Sequence, residues 1–245
     1  MVSAIKAAIG DAVLTFAWVF FSSMLGLITS AITKALDLQY VSYNGFDYPS
    51  VMITTSLIFV LVFIFTIIGN ALGGASFNPT GNASFYAAGL GSDTLFSMAL
   101  RFPAQALGAV GGALAIMEVM PPKYRHMIGG PSLKVDLHTG AVAEGVLTFV
   151  ISFVVLFIML RGPRSEFVKT WLMAMSTVAL IIAGSAYTGP SMNPAFAFGW
   201  AYLDNWHNTW DQFYVYWIAP FIGAILAAWF FRIVFPPRVV KQKKA

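Results

Sequence analysis

Hydrophobic and polar positions in this chain do not alternate. They fall into long apolar blocks joined by short polar connections. Six blocks, at about residues 11–31, 51–70, 94–117, 138–160, 169–187 and 213–235, each approach the ~20 residues that a bilayer-crossing helix needs. They are filled with Phe, Leu, Ile, Val and Ala and lack the period-two pattern of a barrel strand, so they predict six transmembrane helices. The first block is long, and no small-residue cleavage site follows it, so it reads as a signal anchor. Two further segments, about 78–90 and 193–203, are moderately apolar but too short to span.

The block pattern repeats. DAVLTF at Asp11–Phe16 and EGVLTF at Glu144–Phe149 open blocks one and four. Each short segment begins with an Asn-Pro pair, in GGASFNPTG and in TGPSMNPAFAFGW, and the two asparagines lie 115 residues apart (193 − 78). The small-residue patches Leu107–Ala109 and Ile222–Ala224 keep the same offset (223 − 108 = 115). Blocks one to three and four to six are therefore two copies of one unit. Three spans is an odd number, so the copies must be inverted in the membrane, an arrangement that places a substrate path between the halves at the midplane. The expected organisation is a single domain over 1–245. Repeat one covers about 1–120, repeat two about 135–236, and 237–245 is a basic tail.

The short segments read as re-entrant half-helices. Backbone that leaves helical geometry at membrane depth is tolerated only when it is buried in protein or lines water. Gly73 and Gly74 before the first pair, and Gly184 and Gly189 before the second, suit an extended loop reaching inward. Asparagine suits the N-cap, and proline suits the first helical turn, where its missing N–H costs nothing. Inversion would turn both N-termini toward the bilayer centre. There Asn78 and Asn193 would offer amide donors to passing water, and two positive dipole ends would oppose a cation or hydronium. The pore-centre residues on this reading are Asn78, Pro79, Thr80, Asn193, Pro194 and Ala195.

Composition agrees: 58% of the 245 residues are hydrophobic and 10% charged, with mean hydropathy +0.76, where a soluble domain carries about 25% charged residues. The net charge of +4 reads as membrane topology and contact with anionic lipid, not as a nucleic-acid surface. An even number of spans puts both termini on one side. That side collects Lys6, Arg101, Arg161, Arg164, Lys169, Arg232, Arg238, Lys241, Lys243 and Lys244, against Lys34, Lys123, Arg125 and Lys134 on the other, which predicts cytosolic termini. The chain has no cysteine and hence no disulfide or thiol chemistry. No metal-ligand spacing, nucleophile motif or phosphate loop is visible, so no enzyme, metal or cofactor is proposed. Asp11 and Glu144 are the only carboxylates predicted within a span. Such groups are costly there, and both are read as structural supports accepting hydrogen bonds from the loop beside their own half-helix. A proton relay is the competing reading. Tyr202, Trp206, Trp210, Tyr214, Tyr216 and Trp217 read as an interfacial aromatic belt, and Gly108 and Gly112 as a close helix-crossing pattern.

Together these motifs resemble the aquaporin or major intrinsic protein family over essentially the whole chain, with AYTGPSMNPAFAFG at Ala186–Gly199 closest to the family's second box. Thr80 in place of the usual alanine, the short N-terminus, the high pI and the lysine tail resemble the plant small basic intrinsic proteins of the type-1 group. The resemblance implies an aquaporin-like all-α fold, a homotetramer with one pore per subunit, and passage of water and other small uncharged solutes. In most members an arginine follows the second Asn-Pro-Ala and forms part of an outer filter. Here that place is Phe196, and the remaining filter positions, counted from the boxes, fall on Ile58, Ile181 and Pro190. A ring without charge or side-chain donor predicts modest water flow and passage of larger or less polar neutral solutes. Lys241 and Lys243 form a K-x-K-x-x tail, a cytosolic retrieval signal, which with the resemblance predicts the endoplasmic reticulum membrane. An ion- or proton-coupled secondary transporter and a non-conducting membrane scaffold are the other two readings.

Overall fold

The computed structural model describes residues 2–38, 40–43 and 45–236; Lys241 and Lys243 lie outside the described residues. Its elements are α1 (Val2–Ser22), α2 (Leu25–Ala35), α3 (Tyr48–Ala71), α4 (Pro79–Ala87), α5 (Leu95–Val119), α6 (Leu137–Arg161), α7 (Glu166–Gly184), α8 (Pro194–Leu203), α9 (Trp210–Phe213) and α10 (Ala219–Val234). A π-helical turn, Tyr214–Ile218, joins α9 to α10 so that Trp210–Val234 runs as one span. Among the described residues, six helical spans are long and apolar enough to cross a membrane.

Local chemistry sets most of these boundaries. Asp47 accepts from Ser50 N at 2.9 Å to start α3, and Asp136 accepts from His138 N and Thr139 N to start α6. Thr94 and Ser97 cap each other reciprocally at α5, Thr94 Oγ1 accepting from Ser97 N and Ser97 Oγ from Thr94 N. Pro79 and Pro194 each occupy the first turn of a half-helix behind an asparagine cap.

The first span departs from its sequence reading. The block at 11–31 resolves into α1 and α2, broken at Ser23–Met24, where the Ser23 hydroxyl donates back to Val19 O at 2.6 Å. Hydropathy finds the apolar stretch but not the helix start, because Val2–Gly10 is rich in strong helix formers that are only moderately apolar. Asp11 consequently lies in the middle of α1 and does not open it.

Two helix crossings show the internal symmetry. A Cβ on Gly108 of α5 would collide with the Ala12 carbonyl of α1, and one on Gly223 of α10 would collide with the Gly145 carbonyl of α6. These are repeat-related positions, and in both halves only hydrogen allows the backbones to touch. Val19, Ala109, Ala113, Ile116, Ala195 and Trp200 close a core between α1, α5 and α8. On the outside, Leu107, Val142 and Ile233 remain more than 60% exposed, the apolar exterior of a chain solvated by lipid.

Candidate pore-centre site

The two half-helices meet at their N-termini. Asn78 caps α4, its Oδ1 accepting from Thr80 N at 3.0 Å, and Asn193 caps α8, its Oδ1 accepting from Ala195 N at 3.1 Å and Phe196 N at 3.3 Å. With each carbonyl oxygen turned into its own helix, each amide nitrogen points across the gap. Asn78 Nδ2 donates to Met192 O at 3.0 Å, and Asn193 Nδ2 donates to Phe77 O at 2.9 Å. Each asparagine thus bonds to the carbonyl of the residue preceding the other asparagine. One N–H per amide goes to this reciprocal brace and one is left over.

Both loops leading to the site rest on a buried carboxylate. Asp11 accepts from Ser76 N at 2.8 Å, and Glu144 accepts from Ser191 N at 2.8 Å, Met192 N at 3.0 Å and the Thr188 hydroxyl at 2.9 Å. Neither carboxylate has exposed surface. Gly189 turns with φ +53, a left-handed conformation that favours glycine. Gly184 is helical instead, and Pro190 packs against it so closely that no Cβ would fit.

The supports differ in charge between the halves. Arg101, on α5, forks onto Asp11 with Nε at 2.7 Å and Nη2 at 2.8 Å, donates to Gly74 O at 3.1 Å, and reaches Asp93 with Nη1 at 2.8 Å. Asp93 in turn accepts from Asn82 Nδ2 at 3.0 Å, which ties the body of α4 into the same cluster. Burial opposes charge on Asp93, but donation from Asn82, Arg101 and Ser97 holds its carboxyl below the usual carboxylate range. Among the described residues, the donors to Glu144 are all uncharged. Adding the repeat offset of 115 to Arg101 gives Tyr216, which is fully buried and donates from its hydroxyl to Thr188 O at 3.1 Å. A guanidinium and a phenol therefore hold the equivalent loops.

Two sequence assignments change here. Arg101, which the charge count assigns to the terminal side, is 6% exposed inside the protein, and Tyr216, which the aromatic pattern assigns to the interfacial belt, is 1% exposed. Averaged hydropathy submerges a lone arginine within an apolar block. The usable signal was that an ionisable group inside a span needs a partner, and Asp11 was the available one.

The four filter positions lie in separate settings. Ile58 of α3 is buried against Ala174 and Val178 of α7. Ile181, one helical turn beyond Val178, is partly exposed. Pro190 lies against Gly184, and Phe196 packs on the core that includes Ala195 and Trp200.

Residues 1–231 match the family model described as major intrinsic protein. Relatives include Aquaporin SIP1-2 of Zea mays, 62% identical, covering 100% of this chain and 99% of the relative. Aquaporin SIP1-1 of Oryza sativa subsp. japonica is 60% identical (99% and 98% covered), and Aquaporin SIP1-1 of Arabidopsis thaliana is 57% identical (100% of both). The fold is similar to the X-ray structure of the aquaglyceroporin from Plasmodium falciparum, with TM-score 0.66, 18% identity, and 95% and 98% of the two chains covered.

Proposed function

We propose that this chain, which belongs to the major intrinsic protein family, is a passive channel for water and small uncharged solutes across the endoplasmic reticulum membrane. The observation that carries the reading is the reciprocal bonding of Asn78 and Asn193 across the abutting half-helix N-termini. It fixes both amide planes and leaves each amide one N–H for a permeant. A water oxygen accepting from both must turn its own hydrogens away along the path, so a continuous proton wire is interrupted at that point. The two positive helix ends oppose a cation in the same place. Asp11 and Glu144 serve as supports for the two loops. Both are fully buried and hydrogen-bonded to the loops they hold, which speaks for a channel over a proton-coupled carrier, because a relay group must exchange its proton with the path.

Ile58, Ile181, Pro190 and Phe196 form the outer filter on this reading. With no donor there to strip and orient water, flow is modest and solute size is less restricted than with an arginine. The channel assembles as a homotetramer with cytosolic termini. Removing the buried Arg101 from the ten leaves nine basic residues on the terminal side against four, so the positive-inside argument stands. Lys241 and Lys243 then face the retrieval machinery.

Stopped-flow measurement of water, glycerol and hydrogen peroxide fluxes in proteoliposomes tests the reading. The native chain should conduct water, and Phe196→Arg should keep water flow measurable while narrowing the range of larger solutes. Native fluxes equal to empty liposomes would end the channel reading. A wider range in Phe196→Arg would end the filter assignment.

A further inference from the structure

The first box departs from the second at one residue, and that residue is not a passive replacement. At the second box, Asn193 Oδ1 receives two main-chain N–H groups, from Ala195 and Phe196. At the first box, Gly81 N is diverted to the main-chain carbonyl of Asn78 at 3.1 Å. Among the described residues, Thr80 N is the one main-chain donor to Asn78 Oδ1. The second donor is the Thr80 hydroxyl, with Oγ1 2.8 Å from Asn78 Oδ1.

The same Oγ1 lies 3.2 Å from Met192 O, the carbonyl that also receives Asn78 Nδ2. Met192 has φ +50, a left-handed conformation unfavourable for a side-chain-bearing residue, so it depends on its neighbours to hold it. Its N–H is bonded to Glu144 and its carbonyl to Asn78 Nδ2, while the single Thr80 hydroxyl hydrogen is shared between Asn78 Oδ1 at 2.8 Å and this carbonyl at 3.2 Å. Ala195, the counterpart of Thr80, has no hydroxyl to offer Phe77 O. The brace is one-sided. Thr80 is also only 2% exposed, whereas Asn78 is half-buried.

We infer that Thr80 is a positioning residue for conduction. Its hydroxyl hydrogen, shared unequally between Asn78 Oδ1 and the Met192 carbonyl of the other half, replaces the main-chain donor that the first box lacks and aims the Asn78 amide without touching the permeant. This rests on the channel reading, and deepens it by making the first-box threonine part of the pore-centre mechanism. Removing the hydroxyl leaves Asn78 with one fewer anchor than Asn193, so its remaining N–H is aimed less well at passing water.

The test compares Thr80→Ala with Thr80→Ser in proteoliposomes, because the two differ at that site by the hydroxyl alone. Alanine should lower water permeability per channel about five-fold, the factor that one neutral hydrogen bond confers, and serine should stay near the native rate. Alanine should impair flow even though it reproduces the residue of the second box. Thr80→Cys exploits a chain with no other cysteine: a small methanethiosulfonate reagent should leave its water flow unchanged. Equal rates for alanine and serine, or rapid block of the cysteine variant, overturns the inference. A silent native chain would defeat the channel reading instead. The brace is then read from melting, where the alanine variant should unfold below the serine variant and equal melting overturns it.

Discussion

Arg101 and Asp11 meet as a two-pronged ion pair, Nε to Oδ2 at 2.7 Å and Nη2 to Oδ1 at 2.8 Å, across 90 residues of sequence and with almost no exposed surface on either. Two parallel charge-assisted bonds fix angle as well as distance. The pair sets where the first box loop sits, because Asp11 also holds Ser76 N and Arg101 also holds Gly74 O.

Arg101→Met would leave Asp11 buried without its counter-charge, which costs about 3–5 kcal/mol. The expected result is a sharp fall in melting temperature and in monodisperse yield in detergent. Adding Asp11→Asn should recover part of that loss, since the orphaned charge is then gone. Tryptophan fluorescence on heating checks both variants, and a single variant that melts with the native chain would contradict the account.

Glu144→Gln keeps the shape but turns an amide NH2 toward groups that are themselves donors. Ser191 N, Met192 N and the Thr188 hydroxyl cannot all be satisfied by one carbonyl oxygen. A buried donor left unpaired costs about 1–3 kcal/mol. Water permeability per channel should fall, and the loss should exceed that of Tyr216→Phe measured in the same stopped-flow series.

Tyr216→Phe removes one neutral bond to Thr188 O, an acceptor that Ser132 N still serves at 2.9 Å. The expected destabilisation is about 1 kcal/mol, visible as a small melting shift with assembly intact. A collapse of the fold would mean that the phenol carries more than this bond.

Asp93 links pH to the first half. Its carboxyl is held below the unfolded value of 3.8, so its ionised form stabilises the fold above that pH, and the contribution is lost as pH falls through the lower folded value. Melting temperature should therefore decline as pH drops below about 4, and Asp93→Asn should flatten that decline. Melting curves taken across acid pH would show parallel slopes for both chains if the assignment were mistaken.

Gly223→Leu tests the inverted architecture. The Gly145 carbonyl occupies the place a side chain would need, so α6 and α10 must separate. The variant should fail to give a folded channel, as should Gly108→Leu in the other half. A normal melting curve for either would show that these crossings are looser than the structure has them.

What the sequence determined by itself was whatever short stretches of chain control. Apolar blocks of spanning length, the 115-residue offset between Asn-Pro pairs, and asparagine capping a proline-led turn are local or periodic signals, and α4 and α8 begin where those signals place them. Tertiary structure decided the rest. Arg101 and Tyr216 are both interior although one reads as a terminal-side charge and the other as a belt aromatic, because their partners Asp11 and Thr188 come from other helices and loops. The Asn78–Met192 and Asn193–Phe77 bonds join residues 114 and 116 positions apart. No local pattern encodes such a contact. It exists only once the two halves have packed, when a buried polar group must find a partner or bear the cost of having none.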